Sequence, residues 1–250
     1  MLDFWDAASA DSEDETSPSG AAPVHRSASP ADAHIPRALP ADCDLGALWD
    51  FDHPDQTERK FRQILLQFRE DDLAFLELLT QIARAQELQR KVAQAHRMLH
   101  QMERRLEEPP SRPEVRYLLE RGRVYNSSGK PRVARPWFRQ ASKLAEHWKE
   151  DFYTVDALHM LAIVAAADQS LALNLQAIHL AESSLQERAR GWLGSLSNNT
   201  GRSYHAMGDY PSAVGALSES RVLAPLQRSG ARDPDRRLVW GAGLTFPGSN

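Results

Sequence analysis

Cysteine is almost absent from this chain of 250 residues, since Cys43 is the only one. A single cysteine excludes an intramolecular disulfide and a zinc site built from several cysteine ligands. Long apolar runs are also missing, because the most apolar stretch, 157–167, contains His159 and is shorter than the about 20 residues that span a bilayer. The first residues lack the basic and apolar segments of a secretory signal. We therefore expect a cytoplasmic protein without a membrane span.

Strand signals and prolines are scarce as well. No stretch alternates β-branched with polar residues, so the sequence lacks the pattern of a β-sheet. Residues 137–210 contain no proline, which permits uninterrupted helices. Pro54, followed by acidic residues, is typical of a helix start. The predicted helices span residues 54–69, 73–89, 91–106, 113–127, 131–147, 151–166, 169–184, 188–207 and 210–224.

The net charge of −4 is unevenly distributed along the chain. Residues 1–50 hold ten acidic and two basic residues, a net of −8, whereas the remaining 24 acidic and 28 basic residues give the rest of the chain +4. Serine, alanine, aspartate and proline dominate residues 1–45. A segment of this composition buries too little apolar surface to offset the entropy of ordering. We predict a disordered acidic leader over residues 1–45.

Two aromatic islands stand among acidic residues, Phe4 with Trp5 and Trp49 with Phe51. In one interpretation the leader is solvated and the second island packs on the first helix. In the other, these acidic-aromatic segments dock onto a basic groove, where the leader would compete with a partner. The sequence leaves both alternatives open.

A frame of small and large residues recurs along the helical part of the chain. One copy contains Leu118, Gly122, Tyr125, Gly129, Ala134, Phe138 and Ala141, and another contains Gly201, Tyr204, Gly208, Asp209, Tyr210, Ala213 and Leu217. With weaker copies at Ala83 and Ala162, the small residues follow one another at intervals of 39, 40 and 39 residues. Small residues allow two helices to approach closely, and large ones fill the space between them. Gly129 and Gly208 are predicted to end helices in the left-handed conformation. The spacing predicts helix pairs that hide their apolar faces by stacking.

This frame resembles the tetratricopeptide repeat (TPR) family through its Gly-x2-Tyr, Gly-Asp-Tyr and Ala-x3-Phe-x2-Ala elements. Its period exceeds the about 34 residues of the standard unit, so it is similar to the long-period subclass found in kinesin light chains and peptide-sensing bacterial regulators. It also resembles uncharacterised bacterial TPR proteins. The chain departs from the family pattern at Ser197, Thr200 and Ser220, and has Asn174 where alanine is expected.

The resemblance implies an all-α, right-handed superhelix of about four helical hairpins. The expected repeat domain covers residues 46–224, with a first helix at 54–69. Its repeats are predicted at 76–110, 115–150, 155–188 and 194–224, and an irregular tail at 225–250.

The resemblance also implies that the first helix of each pair lines a concave groove. The residues predicted to face a partner there are Arg84, Arg116, Arg123, Asn126, His159, Asn198, Asn199, Arg202 and His205. Asparagine amides can pair with the N–H and C=O groups of an extended peptide, and arginine can bind a carboxylate through two N–H groups. The alternative is that these are ordinary polar residues that solvate the groove.

The resemblance implies a scaffold or regulatory module that binds a protein or peptide and is not catalytic. The bound partner can be acidic. The second alternative is the ligand-sensing portion of a regulator whose effector domain is missing from this chain. An RNA-binding helical repeat would need stacking aromatics, whereas Tyr125, Trp137 and Phe138 are predicted to be core. An enzyme is a more distant alternative, because no catalytic motif is present. The oligomeric state is left open.

No cofactor or metal is predicted. His96 and His100 share a helix face, but they lack a third ligand. The glycine cluster around Gly241 and Gly243 lacks the strand and helix that a phosphate loop requires.

The repeat pattern stops near Pro225 without an evident capping helix. One further period beyond Gly201 falls at Gly241, preceded by Leu238 and Trp240, which is consistent with the stub of another first helix. We expect the array to be truncated or diverged at this end, with the apolar face of 210–224 incompletely covered.

Overall fold

Helices make up all the regular structure that the computed structural model describes, namely residues 45–70, 72–106 and 112–229. This confirms the predicted all-α fold. The predictions for the leader over residues 1–44 and for residues 230–250 lie outside the described residues. Within the described ranges, no helix is both long and apolar enough to cross a membrane.

A 3-10 turn at Leu45–Leu48 is followed by α1 (Pro54–Leu65), α2 (Leu73–Leu88), α3 (Val92–Glu103), α4 (Arg112–Ser127), α5 (Pro131–His147), α6 (Asp151–Ile163), α7 (Ala167–Ser183), α8 (Glu187–Arg190), α9 (Leu193–Ala206) and α10 (Tyr210–Ser229).

Most of these helices pack as consecutive pairs. α2 packs on α3, α4 on α5, α6 on α7, and α9 on α10. We call α2, α4, α6 and α9 the first helices, and α3, α5, α7 and α10 the second helices. Neighbouring pairs contact each other through α2 and α4, α5 and α6, and α7 and α9, while α1 packs on α2. The pairs therefore form a continuous stack, with α1 at its beginning.

The glycines of the frame are the points of close approach within a pair. A Cβ atom at Gly122 would overlap the ring of Phe138, and one at Gly201 would lie 2.7 Å from Leu217. Phe138 is fully buried. The small residues therefore allow the two helices of a pair to contact each other closely, as the sequence predicted.

A left-handed residue ends the first helix of several pairs. Gly129 and Gly208 have φ angles of 74° and 82°, as predicted. Arg90 occupies the equivalent position after α2 and has a φ of 62°. Glycine adopts this conformation freely, whereas a residue with a Cβ atom does so at a cost. The turn after α2 thus keeps the same geometry with a less suitable residue.

The prediction of one continuous helix over residues 188–207 is wrong. It is divided into α8 and α9 by Gly191 and Trp192. Trp192 is 1% exposed, and its ring centroid lies 6.3 Å from that of Phe152 on α6. The interruption turns this large side chain into the interior, where an aromatic residue buries about 150–250 Å² of surface. Tertiary packing therefore outweighs the continuous helical pattern.

The helix ends that differ most from the sequence-based prediction are those of α1 and α10. α1 ends at Leu65, and α10 continues through Pro225 to Ser229. A proline removes one backbone hydrogen bond from a helix but does not end a helix that packing holds in place. α5 likewise continues through Pro136.

Candidate functional site

The first helices carry a row of polar side chains that bond to one another across the repeats. We call this row the polar ladder, and its members are Arg84, Glu120, Arg123, Asp156, His159 and Asn199. They come from α2, α4, α6 and α9. All of them except Asn199 are buried. The ladder connects the four first helices in sequence.

The charged part of the ladder is balanced. Nη1 of Arg84 donates to Glu120 at 3.3 Å, and Nη1 of Arg123 donates to the other Glu120 oxygen at 2.7 Å. Nη2 of Arg123 donates to both oxygens of Asp156, at 2.5 and 2.6 Å. Two guanidinium groups thus face two carboxylates in a buried row. Because each desolvated charge has a partner, the cost of burial is offset by attraction.

The ladder continues to α9 through a neutral pair. Nδ2 of Asn199 lies 3.1 Å from Nδ1 of His159, and an amide nitrogen can only donate, so this ring nitrogen accepts. The ring centroid of His159 lies 5.2 Å from that of Trp192. Burial, together with the positive charge of Arg123, lowers the pKa of His159 to about 3. The imidazole is therefore uncharged at neutral pH.

This depressed pKa predicts sensitivity to acid. Below about pH 6.5 the unfolded chain binds a proton at His159 that the folded chain does not bind, so stability falls as the pH falls toward 3. Between pH 7 and 5 we expect His159 to remove about 2 kcal/mol from the free energy of unfolding. Urea titrations at several pH values measure this loss. His159→Gln should reduce the pH dependence, and His179→Gln, at an exposed position on α7, should leave it unchanged. Equal pH dependence in parent and His159→Gln would contradict the assignment.

Trp49 contacts the beginning of the same face. Its Nε1 donates to Oε1 of Gln81 on α2 at 2.8 Å. Its ring stacks on Phe51 with centroids 4.9 Å apart and meets Phe61 of α1 edge-on. Of the two interpretations of the second aromatic island, the structure supports packing on the first helix. The contact with Gln81 adds a bond to α2, about one helical turn before Arg84.

The remaining candidate residues lie nearer to solvent. Arg202 and His205 are exposed, and Asn126 and Asn198 are partly buried. The ring of His205 packs against Tyr210 with centroids 5.4 Å apart. The candidates therefore fall into two groups. Arg84, Arg123 and His159 bond within the ladder. The others lie nearer to solvent: Arg116, Asn126, Asn198, Arg202 and His205. Arg116 lies over the ring of Tyr153 at 5.1 Å from its centroid.

Helix phase in the sequence also places Glu120 and Asp156 on this face of the first helices, although they are not among the candidate contact residues. They are the carboxylates that Arg84 and Arg123 contact, 36 and 33 residues further along the chain. The signal was present in the sequence as opposite charges on successive first helices. This charge pattern can be recognised only when the repeats are aligned by their small residues.

The aromatic residues that an RNA-binding repeat would use for stacking lie against the core. Phe138 is fully buried, and Tyr125 and Trp137 are partly buried against the core, with nearly parallel rings 6.3 Å apart. Also on α4, Arg121 donates to the hydroxyl oxygen of Tyr117 at 3.1 Å, and burial raises the pKa of Tyr117 to about 12. Tyr125, Trp137 and Phe138 thus pack in or against the core, as the sequence predicted.

The described residues contain no group of three histidine, cysteine, aspartate or glutamate side chains that could hold a metal ion. His96 lies 3.3 Å from Nη1 of Arg121, and burial together with this cation lowers its pKa. His100 contacts Glu103 instead. The two histidines thus have separate partners.

The fold is shared with solved helical-repeat structures. BtubC (BKLC) from P. vanneervenii superposes with a TM-score of 0.57 at 14% identity, covering 82% of this chain and 89% of that chain. The kinesin light chain TPR-like repeats of Podosopora anserina, and a variant of these repeats, give TM-scores of 0.51 and 0.53 at 17% identity, covering 71% of this chain and 90% of those chains. No protein-family model and no curated protein matches the sequence. The chain has a TPR-like repeat fold, which confirms the fold that the repeat frame predicted.

Proposed function

We propose that this chain is a non-catalytic binding module that holds an extended segment of a partner protein along its first helices, in the cytoplasm. The observation that supports this most directly is the division of the candidate residues into two sets. One set is buried and bonded within the polar ladder, and the other reaches solvent on the same helices. Such a division suits a rigid platform that carries exposed contact groups.

In this proposal the ladder positions the surface. Arg84, Arg123 and His159 bond to neighbouring first helices, so they hold these helices in register. The charges of the two arginines are already balanced by Glu120 and Asp156, and His159 is neutral. These three residues therefore contribute to the shape of the binding surface, and the direct contacts come from the more exposed candidates: Arg116, Asn126, Asn198, Arg202 and His205.

The chemistry of the exposed set favours a peptide backbone as the ligand. The side-chain amides of Asn126 and Asn198 each offer two N–H donors and one carbonyl acceptor. An extended segment presents alternating N–H and C=O groups that such amides can satisfy. Arg202 adds a cation on α9, in the last pair, which favours an acidic residue at that end of the ligand.

The test is selection of peptides from a displayed library of short random sequences on the full chain, followed by titration of the enriched peptides. We expect Asn126→Ala combined with Asn198→Ala to weaken binding about tenfold, because each lost amide contact is worth about 0.5–1.5 kcal/mol.

The matched control removes two amides from the second helices, Gln140→Ala with Gln176→Ala, both at exposed positions. This variant should bind the selected peptides as the parent does. If no peptide is enriched, or if the control weakens binding as much as the asparagine variant, the proposed surface is wrong.

A further inference from the structure

Residues 121–145 contain seven basic residues and no acidic one. The structure divides these cations into two groups. Arg121 and Arg123 are buried on α4 and pair with Glu103 and Asp156. The other five lie on α5 or directly before it, and they form no ion pair within the part of the chain that the structure describes: Lys130, Arg132, Arg135, Arg139 and Lys143.

Four of these cations follow the outer side of α5, and we call them the basic row: Arg132, Arg135, Arg139 and Lys143. Arg132, Arg139 and Lys143 are exposed. At about 100° and 1.5 Å per residue, these three lie within about 40° of one another around the helix and about 10.5 and 6 Å apart along it. Arg135 lies beside them and donates to Oε1 of Gln169 on α7 at 2.7 Å. This amide is neutral, so the charge of Arg135 is not compensated.

The basic row is unfavourable for the helix that carries it. Arg135 and Arg139 are four residues apart, as are Arg139 and Lys143, and like charges at this spacing destabilise a helix. The first turn of α5 contains no acid, and Arg132 lies there, near the positive end of the helix macrodipole. Repulsion within the row is therefore a cost to folding.

The exposed side of α1 shows the opposite arrangement. Arg59 pairs with Asp55 at 2.9 Å, and Arg62 pairs with Glu58 at 2.8 Å, each with an acid four residues earlier. Asp55 also supplies an acid to the first turn of α1. A helix of this protein can thus be solvated by charges that neutralise one another. A row that breaks these local rules indicates a requirement other than folding.

The surroundings of the basic row favour a protein partner over a nucleic acid or a membrane. The exposed residues between its members are Val133, Pro136 and Gln140, so the row lacks the aromatic rings on which single-stranded bases stack. The apolar side of α5 is buried through Phe138 and is not available to enter a bilayer. Arginine supplies three of the four cations, and its guanidinium group binds a carboxylate through two N–H groups.

We propose that the basic row docks an acidic α-helical segment of a partner protein, in addition to the peptide surface proposed on the first helices. A partner helix has the same rise per residue as α5. Acids seven and four residues apart on it therefore face Arg132, Arg139 and Lys143 together. These carboxylates neutralise the row and offset its internal repulsion. The row lies on a second helix, so its binding does not depend on the asparagine contacts of the first helices.

The test is a fluorescence titration of the full chain with two labelled synthetic helical peptides at about 0.15 M salt. One peptide carries glutamates on a single face, seven and four residues apart, and the other has the same composition with the glutamates distributed around the helix. We expect the one-faced peptide to bind about tenfold more tightly, because only its carboxylates reach all three cations at once. Its affinity should fall as the salt concentration rises.

Neutralisation of the row separates binding from folding. Arg132→Gln, Arg139→Gln and Lys143→Gln together should weaken binding of the one-faced peptide about tenfold, because the ion pairs with its carboxylates are lost. The same variant should leave the midpoint of urea unfolding unchanged or raise it, because the repulsion along α5 is removed. A merely structural role of these cations would lower the midpoint instead.

The matched control makes the same change of charge on α1, with Arg59→Gln, Lys60→Gln and Arg62→Gln, all at exposed positions. This variant should bind the one-faced peptide with an affinity within about twofold of the parent, because the row is intact. Its urea midpoint should fall slightly, because two ion pairs are lost.

Four outcomes would overturn the proposal. Equal affinity for the two peptides excludes recognition of an acidic helix face, and equal weakening by the α1 control assigns the binding to net charge. Tighter binding of a single-stranded RNA oligonucleotide of the same charge assigns the row to a nucleic acid. Self-association of the parent that the neutralised variant loses, measured by sedimentation, assigns the row to a second copy. The peptide surface on the first helices is tested separately by the asparagine variants.

Discussion

Replacing Asp156 with alanine is expected to lower the free energy of unfolding by about 3–5 kcal/mol. Asp156 is fully buried, and both of its oxygens accept hydrogen bonds from Nη2 of Arg123. Without this carboxylate the ladder holds two guanidinium groups, those of Arg84 and Arg123, against one carboxylate at Glu120. A buried charge that loses its partner keeps its desolvation penalty. Urea-induced unfolding followed by circular dichroism measures the loss.

The matched control is Asp55→Ala on α1. Asp55 also pairs with an arginine, Arg59, at 2.9 Å, but both side chains are about half exposed or more. An exposed pair of this kind contributes about 0–1 kcal/mol. A similar loss in the two variants would show that the ladder is screened by solvent and would contradict its buried character.

A double substitution separates the cost of an unpaired charge from the value of the pair itself. Arg123→Met with Asp156→Leu removes both charges and leaves Arg84 opposite Glu120, so the remaining row stays neutral. Replacement of a buried pair by apolar residues of similar volume is often neutral or stabilising. We therefore expect the double variant to be more stable than Asp156→Ala, although it has lost more hydrogen bonds.

Much of the fold could be predicted from the sequence because its determinants are local or periodic. The bounds of α5, Pro131–His147, agree with the prediction, since proline marks its start. The four small residues indicated the repeat spacing without reference to any contact. The break at Trp192 could not be predicted, because it depends on space near Phe152 that only the assembled helices create.

The candidate site was predictable only in part, for a related reason. Residue type and helix phase placed Arg84 and Arg123 on the first helices correctly. Whether such an arginine faces a ligand or a neighbouring helix depends on a carboxylate 36 or 33 residues away. That pairing requires the helices to pack in one particular register, which local patterns do not specify.

Replacing Gly122 with alanine is expected to lower the free energy of unfolding by about 1–3 kcal/mol, the usual cost of overpacking a well-filled core. The added Cβ atom would overlap three ring atoms of Phe138, whose side chain is fully buried. Alanine is intrinsically the better helix former by about 1 kcal/mol, so the clash must exceed this gain. Gly215→Ala is the control, because a Cβ atom there meets open space within α10. It should leave stability unchanged or raise it by up to about 1 kcal/mol.

The repeats themselves suggest how to relieve the clash. A large partner follows each small residue at the same interval, so the first repeat combines Ala83 with Leu99 where the second combines Gly122 with Phe138. Leu99 and Ala83 are both fully buried, so the first repeat accommodates an alanine opposite a leucine. Phe138→Leu should therefore be destabilising alone, through the cavity it leaves, but should restore stability in the Gly122→Ala background. Thermal or urea unfolding of the four proteins measures the coupling between the two positions. If the losses in the free energy of unfolding are additive, contacts other than Gly122 with Phe138 determine the separation of α4 and α5.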